Sequence, residues 1–150
     1  FQEKVCLLQM AGNGEHVVID PLATKDLSVI KPLFKSNNIC KIFHGADYDV
    51  RSLYRDFRIT IHNLFDTELA SRFLGYPETS LEAVLKKKFA VSLDKKFQRK
   101  DWSKRPLPQA MMDYAAGDVH HLLPLAALLE KELLAKGRLS WVREECDVLR

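Results

Sequence analysis

The sequence predicts an α/β fold: a mixed sheet, antiparallel at its start and parallel after it, flanked by helices. Three observations carry this. Two short apolar runs flank the turn signal Gly12-Asn13-Gly14. Further short apolar runs then alternate with stretches whose apolar residues recur at helical spacing. From Gln109 onward the chain is Leu-rich and reads as helix.

Val5–Met10 reads as a strand and His16–Asp20 as its antiparallel return, ended by Pro21. Leu27, Ile30, Leu33 and Phe34 predict a helix over roughly 25–35, kinked or shortened by Pro32. Ile39–Phe43 is a short strand, and Val50, Leu53, Tyr54 and Phe57 mark a helix after Gly45. Leu64-Phe65-Asp66 is the last strand, and the helix carrying Leu69, Ala70, Phe73 and Leu74 stops at Gly75. Thr79-Ser80-Leu81-Glu82 reads as a capping box opening a helix through Lys87. Residues 92–108 form an irregular basic loop with Trp102, Pro106 and Pro108. A long helix from Gln109 to Lys136 bends at Gly117 or Pro124, with Leu122, Leu123, Ala126, Leu129 and Leu133 as its core. A final helix runs from Arg138 to about Leu149.

With 150 residues, 47% apolar and 29% charged, the composition is that of one soluble globular domain. No apolar run approaches the length of a spanning helix, and no signal peptide is present, so no membrane role is expected. The chain opens on Phe1, which reads as a start inside a longer sequence or a processed end. Cys6, Cys40 and Cys146 are odd in number and widely spaced. That pattern fits small buried hydrophobes in a reducing cytoplasm rather than a disulfide framework or a zinc knuckle. Between Lys86 and Arg105 nine basic residues face only Asp94 and Asp101, giving +7 there and −4 elsewhere. A local basic field beside an acidic remainder suits a polyanion held near a metal; it also suits a plain solvated face.

Two segments carry candidate chemistry. In His44-Gly45-Ala46-Asp47-Tyr48-Asp49, Asp49 follows the end of a strand by six residues, where α/β folds place ligand groups. An acid favoured by the start of a helix would look the same. In Tyr114-Ala115-Ala116-Gly117-Asp118 a phenol and a carboxylate four apart share a helix face. Hard carboxylate oxygens and a hydroxyl that can orient water suit metal-assisted phosphodiester hydrolysis. His44 reads as a hydrogen-bonded structural residue. His120 and His121 point to different helix faces with no metal motif around them.

In these motifs and their order the chain resembles the exonuclease domain of ribonuclease D, within the DEDD 3′–5′ exonucleases of ribonuclease H-like fold. Asp20-Pro21-Leu22, Leu64-Phe65-Asp66-Thr67, Leu93-Asp94-Lys95 and Asp101-Trp102 share in the resemblance, which spans nearly all of residues 1–150 as one exonuclease domain. The resemblance implies that Asp49 and Asp118 are metal ligands and that Tyr114 is the tyrosine of the tyrosine branch. It implies two Mg²⁺ or Mn²⁺ ions, an RNA 3′ end as partner, and release of nucleoside 5′-monophosphates, as in tRNA or structured-RNA 3′ processing. With a phenol pKa near 10, positioning water is a better role for Tyr114 than general base.

The family's first motif, Asp-x-Glu on an N-terminal central strand, is absent. The expectation is therefore an N-terminally truncated domain with an incomplete metal cage, weak or inactive by itself, and a hairpin edge left unpaired. Asp66-Thr67-Glu68 spells Asp-x-Glu but follows Asp49, and it reads as helix-start chemistry with Asp66 as N-cap. Lys95, Arg99, Lys100 and Lys104 are candidates for phosphate contacts. Trp102 is a candidate to stack on a base or, alternatively, to anchor its loop. Two alternatives stay open: a DNA 3′–5′ exonuclease of the same fold, and a non-catalytic nucleic-acid-binding module.

Overall fold

The computed structural model describes residues 8–12, 15–19, 27–93, 101, 103 and 105–149, by backbone alone at 8–12, 15–19 and 115–118. In chain order the elements are β1 (Leu8–Gly12), β2 (Glu15–Ile19), α1 (Lys31–Lys35), β3 (Lys41–Phe43), α2 (Ala46–Phe57), β4 (Leu64–Asp66), α3 (Thr67–Phe73), α4 (Leu81–Phe89), α5 (Gln109–His120), α6 (Leu122–Lys136) and α7 (Leu139–Val148).

The predicted order of an antiparallel hairpin followed by parallel strands is what the chain adopts. β1 pairs antiparallel with β2, from Leu8 opposite Ile19 to Gly12 opposite Glu15. β3 pairs parallel with β4, Lys41 opposite Leu64 and Phe43 opposite Asp66, and α2 makes the crossover between them. Among the described residues these are two separate two-stranded ladders.

The core lies between the β3–β4 ladder and the C-terminal helices. α6 lies against β3, α7 against β4, and α3 against both helices. Leu53, Ile59, Ile61, Val84, Leu85, Leu125, Leu129, Leu133 and Val142 are buried together there. Each such side chain contributes roughly 1.5–3 kcal/mol relative to exposure. Glu132 on α6 accepts hydrogen bonds from the Tyr76 hydroxyl (2.9 Å) and the Lys88 ammonium (2.8 Å), tying α4 and the α3–α4 connection to α6. Lys87 and Lys88 also lie over the Tyr76 ring, 4.1 and 4.8 Å from its centroid. No helix among the described residues is long and apolar enough to cross a membrane.

Several elements depart from expectation for local reasons. The helix predicted over 25–35 is a turn at 28–30 followed by the short α1, with Pro32 in its first turn. Proline's missing N–H costs nothing in a first turn, so it starts the helix rather than kinking it. The predicted capping box is a simple cap: Ser80 accepts the Ala83 amide at 3.1 Å, so Glu82 is one residue short of the reciprocal position. α4 runs on to Phe89 and ends at Ala90 in the left-handed conformation.

The long helix over 109–136 is two helices broken at His121. Pro124 lacks the N–H that would bond the His120 carbonyl, and its ring opposes that carbonyl. The break resets the helical phase, so Leu125 enters the core while Leu123 is exposed and Leu122 only half-buried. Cys146 is buried as expected, but Cys40 is exposed and Cys6 lies outside the described residues.

Candidate active site

Asp49 owes its position to how α2 begins. Gly45, the N-cap, sits at φ 73°, a left-handed conformation that favours glycine. A Cβ there would meet only ordinary contact, 4.0 Å from Glu68 Oε1, so the requirement is the backbone conformation and not space. Gly45 has no side chain to cap α2, and the last residue of β4 does it instead. Asp66 accepts the Gly45 amide at 2.9 Å through Oδ1 and the Ala46 amide at 2.8 Å through Oδ2. The same Oδ1 accepts the amides of Glu68 (2.8 Å) and Leu69 (3.4 Å) at the start of α3. One buried carboxylate thus closes two helix N-termini, where orphan N–H groups and the helix dipoles both favour negative charge.

Asp66 is thereby committed to backbone amides, as the cap reading of Asp66-Thr67-Glu68 expected. Glu68 pairs with Arg72 one turn on, at 3.1 Å. Ala46 is fully buried under this arrangement, which leaves no room for a larger side chain at the third position of His-Gly-Ala.

His44 is the structural residue expected of it. Nε2 lies 2.8 Å from the Thr79 carbonyl and Nδ1 2.8 Å from Thr67 Oγ1. A carbonyl only accepts, so Nε2 carries the proton. Nδ1 of the neutral ring then accepts, and the single Thr67 hydroxyl proton is divided between Nδ1 and the Phe43 carbonyl, 3.0 Å from Thr67 Oγ1. Burial pushes His44 below the ordinary histidine value, while the Thr79 carbonyl and the charges of Asp66 and Glu68 partly oppose it.

Asp49 lies in the first turn of α2 and is exposed to solvent. Desolvation there is only partial, yet it raises the carboxyl above its ordinary value, and the like charge of Asp66 adds to the push. The site therefore holds concentrated negative charge with one acid locked and the other open. A hard divalent cation would relieve that repulsion.

Tyr114 and Asp118 both fall on the continuous helix α5, which lies against β1 and β2. Tyr114 is half-buried, and four residues along the helix put position 118 on its face. Among the described residues no three His, Cys, Asp or Glu side chains gather as a metal cage. The donor chemistry of Asp49 and Asp118 fits Mg²⁺ or Mn²⁺, but two carboxylates are fewer than a closed cage requires. Lys95, Arg99, Lys100, Trp102 and Lys104 lie outside the described residues. His120 and His121, expected on different faces, meet edge to face with ring centroids 4.8 Å apart, because His121 is the joint between two helices.

Residues 1–134 match the family described as 3′–5′ exonuclease. The chain belongs to the 3′–5′ exonuclease family. Its relatives in that family include a ribonuclease D from Nitrobacter hamburgensis, 36% identical over 147 residues, a match covering 97% of this chain and 38% of the relative. The crystal structure of the catalytic core of RRP6 from Trypanosoma brucei superposes with a TM-score of 0.93 at 37% identity, covering 97% of this chain and 41% of that one. NrnC from Brucella melitensis, solved with bound Mg²⁺, superposes with a TM-score of 0.88 at 28% identity, covering 97% of this chain and 73% of that one. The chain thus spans about two fifths of the ribonuclease D and of the RRP6 core it matches.

Within this exonuclease fold, sequence reasoning missed Asp66 as the joint that aims α2, and the Thr79 carbonyl as the partner of His44. Both links cross 20 or more residues of chain. The one local signal was the Asp at the end of an apolar run followed by Thr-Glu, which announced a cap but not its second client.

Proposed function

We propose that this chain is the catalytic domain of a metal-dependent exoribonuclease that removes nucleoside 5′-monophosphates from single-stranded RNA 3′ ends, as in tRNA or structured-RNA processing. The observation that carries this reading is the division of labour between two neighbouring acids. Asp66 is consumed by four backbone amides, while Asp49, aimed by the two of those bonds that hold the start of α2, stays open to solvent beside it. A carboxylate that is held in place, raised by partial desolvation and then by a like charge, and left open to solvent suits a cation ligand better than a structural role.

On this reading Asp49 and Asp118 hold Mg²⁺ or Mn²⁺, with the rest of the cage coming from acids beyond these motifs. The bound cation supplies charge neutralisation at the scissile phosphate and a more acidic water. Tyr114 holds the attacking water through its hydroxyl and α5 fixes the direction of that hydroxyl. Asp66 and His44 act through the backbone, keeping the first turn of α2 in place. Residues 1–150 act as one exonuclease domain, with Lys95, Arg99, Lys100 and Lys104 on RNA phosphates and Trp102 at a base. The free thiols Cys40 and Cys146 accord with a reducing compartment such as the cytoplasm.

The test is hydrolysis of 3′-tailed single-stranded RNA by the intact protein in Mn²⁺, with Asp118→Ala and Tyr114→Phe beside it. Mononucleotide release lost in Asp118→Ala, with RNA binding kept, supports the proposal. Binding without cleavage in the unmodified protein would leave a non-catalytic nucleic-acid module as the better description. Cleavage of a DNA strand in preference to RNA would move the substrate class.

A further inference from the structure

A hollow of about 370 Å³ opens where α1 meets the end of α2, lined by Lys31, Pro32, Lys35, Arg58, Ile59 and Thr60. Half of its lining residues are cations and none is acidic. Among the described residues none of the three forms an ion pair, although Asp47, Asp56, Glu68, Glu130 and Glu132 each take a basic partner elsewhere. Three like charges around one concavity repel one another, and no ion pair among the described residues offsets them. Its floor is rigid: Ile59 is buried in the core, and the His62 amide donates to the Phe34 carbonyl at 2.8 Å, fastening the segment after α2 to α1. The Arg58 guanidinium also lies 5.0 Å from the centroid of the Tyr54 ring, and that ring is itself half exposed. Exposed cations interleaved with an exposed aromatic face are the chemistry that takes a phosphodiester chain and an unpaired base together.

The hollow is not the active site. Arg58 follows Asp49 by nine residues along and just past α2, about 14 Å at 1.5 Å per residue, and falls on the opposite side of the helix. It is also separate in sequence from the basic loop of residues 92–108. We propose that Lys31, Lys35 and Arg58 form a second anchoring site for RNA, gripping backbone phosphates several nucleotides upstream of the 3′ end, with Tyr54 beside it as a stacking face. The proposal rests on the RNA reading given above but not on its chemistry. Such a site would make affinity depend on RNA length while leaving the hydrolytic step alone.

The test is equilibrium binding of labelled single-stranded RNA to the intact protein in chelator, where no hydrolysis occurs, using a 4-mer and a 20-mer over a range of salt. Lys31→Gln/Lys35→Gln removes two charges from exposed or half-exposed positions without touching the left-handed backbone at Arg58. The double variant should bind the 20-mer roughly five- to tenfold more weakly at low salt, with the slope of log K against log salt shallower by about 1.4. Its 4-mer binding should be unchanged. Arg58→Asn, which tolerates the left-handed conformation, should repeat the pattern with a slope change of about 0.7. Unchanged 20-mer binding would overturn the proposal. So would equal weakening for both lengths, or a variant that alters binding of inorganic phosphate or AMP while leaving RNA untouched. If Asp118→Ala retained hydrolysis, the catalytic reading would fail while this binding experiment kept its meaning.

Discussion

Asp66 holds the amide of Ala46 at 2.8 Å, from a strand 20 residues further along the chain. Asp49 lies three residues beyond that bond, so the position of the exposed acid is decided by the buried one. Removing the buried carboxylate leaves four amides at two helix starts without their acceptor. Asp66→Ala should therefore cost about 2–4 kcal/mol of stability. Urea denaturation checks it, as a lower midpoint with an unchanged slope. Asp66→Asn, which keeps the shape and one acceptor oxygen, should lose less.

Asp49 should show the opposite trade. Its folded carboxyl titrates above the unfolded value of 3.8, so its protonated form is favoured by folding. That contribution is complete below the unfolded value and is lost as pH rises through the folded one, leaving ionised Asp49 a net cost at neutral pH. Asp49→Asn should raise the melting temperature measured in chelator and lower hydrolysis by about 100-fold or more. A variant that loses stability in chelator would contradict the electrostatic description of the site.

His44 predicts a slope on the acid side. Its folded value lies below the ordinary 6.5, so the unfolded chain binds the proton more tightly. Stability contributed by the neutral ring is fully present above about 6.5 and falls as pH drops from there through the folded value. Denaturation midpoints from about pH 5 to pH 7.5 should decline toward acid more steeply in the unmodified chain than in His44→Gln. Equal slopes would show that the ring is not the titrating group.

The α4–α6 tie rests on Glu132. Burial opposes its ionisation, but the hydrogen bonds from Lys88 and Tyr76 outweigh that and hold its carboxyl below the ordinary range. The stability it brings is present above 4.5 and lost as pH falls through the folded value. Tyr76→Phe should cost about 1 kcal/mol and Glu132→Ala about 1–2 kcal/mol. In the double variant the costs should fall short of their sum, because both remove the same bond. Full additivity would mean that the two residues stabilise the fold independently.

The architecture was legible wherever the signal was periodic and local. The hairpin, the parallel Leu64–Asp66 strand and the helix stop at Gly75 follow from alternation, spacing and left-handed glycine. Position within an element was harder to read: of the kink or short helix expected at Pro32 the chain adopts the short helix, with Pro32 in its first turn, and Pro124 breaks a helix three residues before itself. The cap at Asp66 was visible because Asp-Thr-Glu after an apolar run is a helix start. Its hold on Gly45 and Ala46 was not, since a contact made across the crossover leaves no local mark on either segment. Lys31, Lys35 and Arg58 likewise converge only in three dimensions, which is why the charge run at 86–105 drew attention and these three did not.

The proposed site draws on two parts of the fold, on either side of the joint at His121. Asp49 is bolted through Asp66 to the β3–β4 ladder, which α6 and α7 cover, whereas Tyr114 and Asp118 lie on α5, which packs against the β1–β2 hairpin. Neither part carries both carboxylates. On the proposed reading Asp49 and Asp118 share a cation, and that shared grip becomes a rivet between the two parts. Part of the affinity for the ion then goes into holding them together, so binding of the ion and stability of the fold are linked.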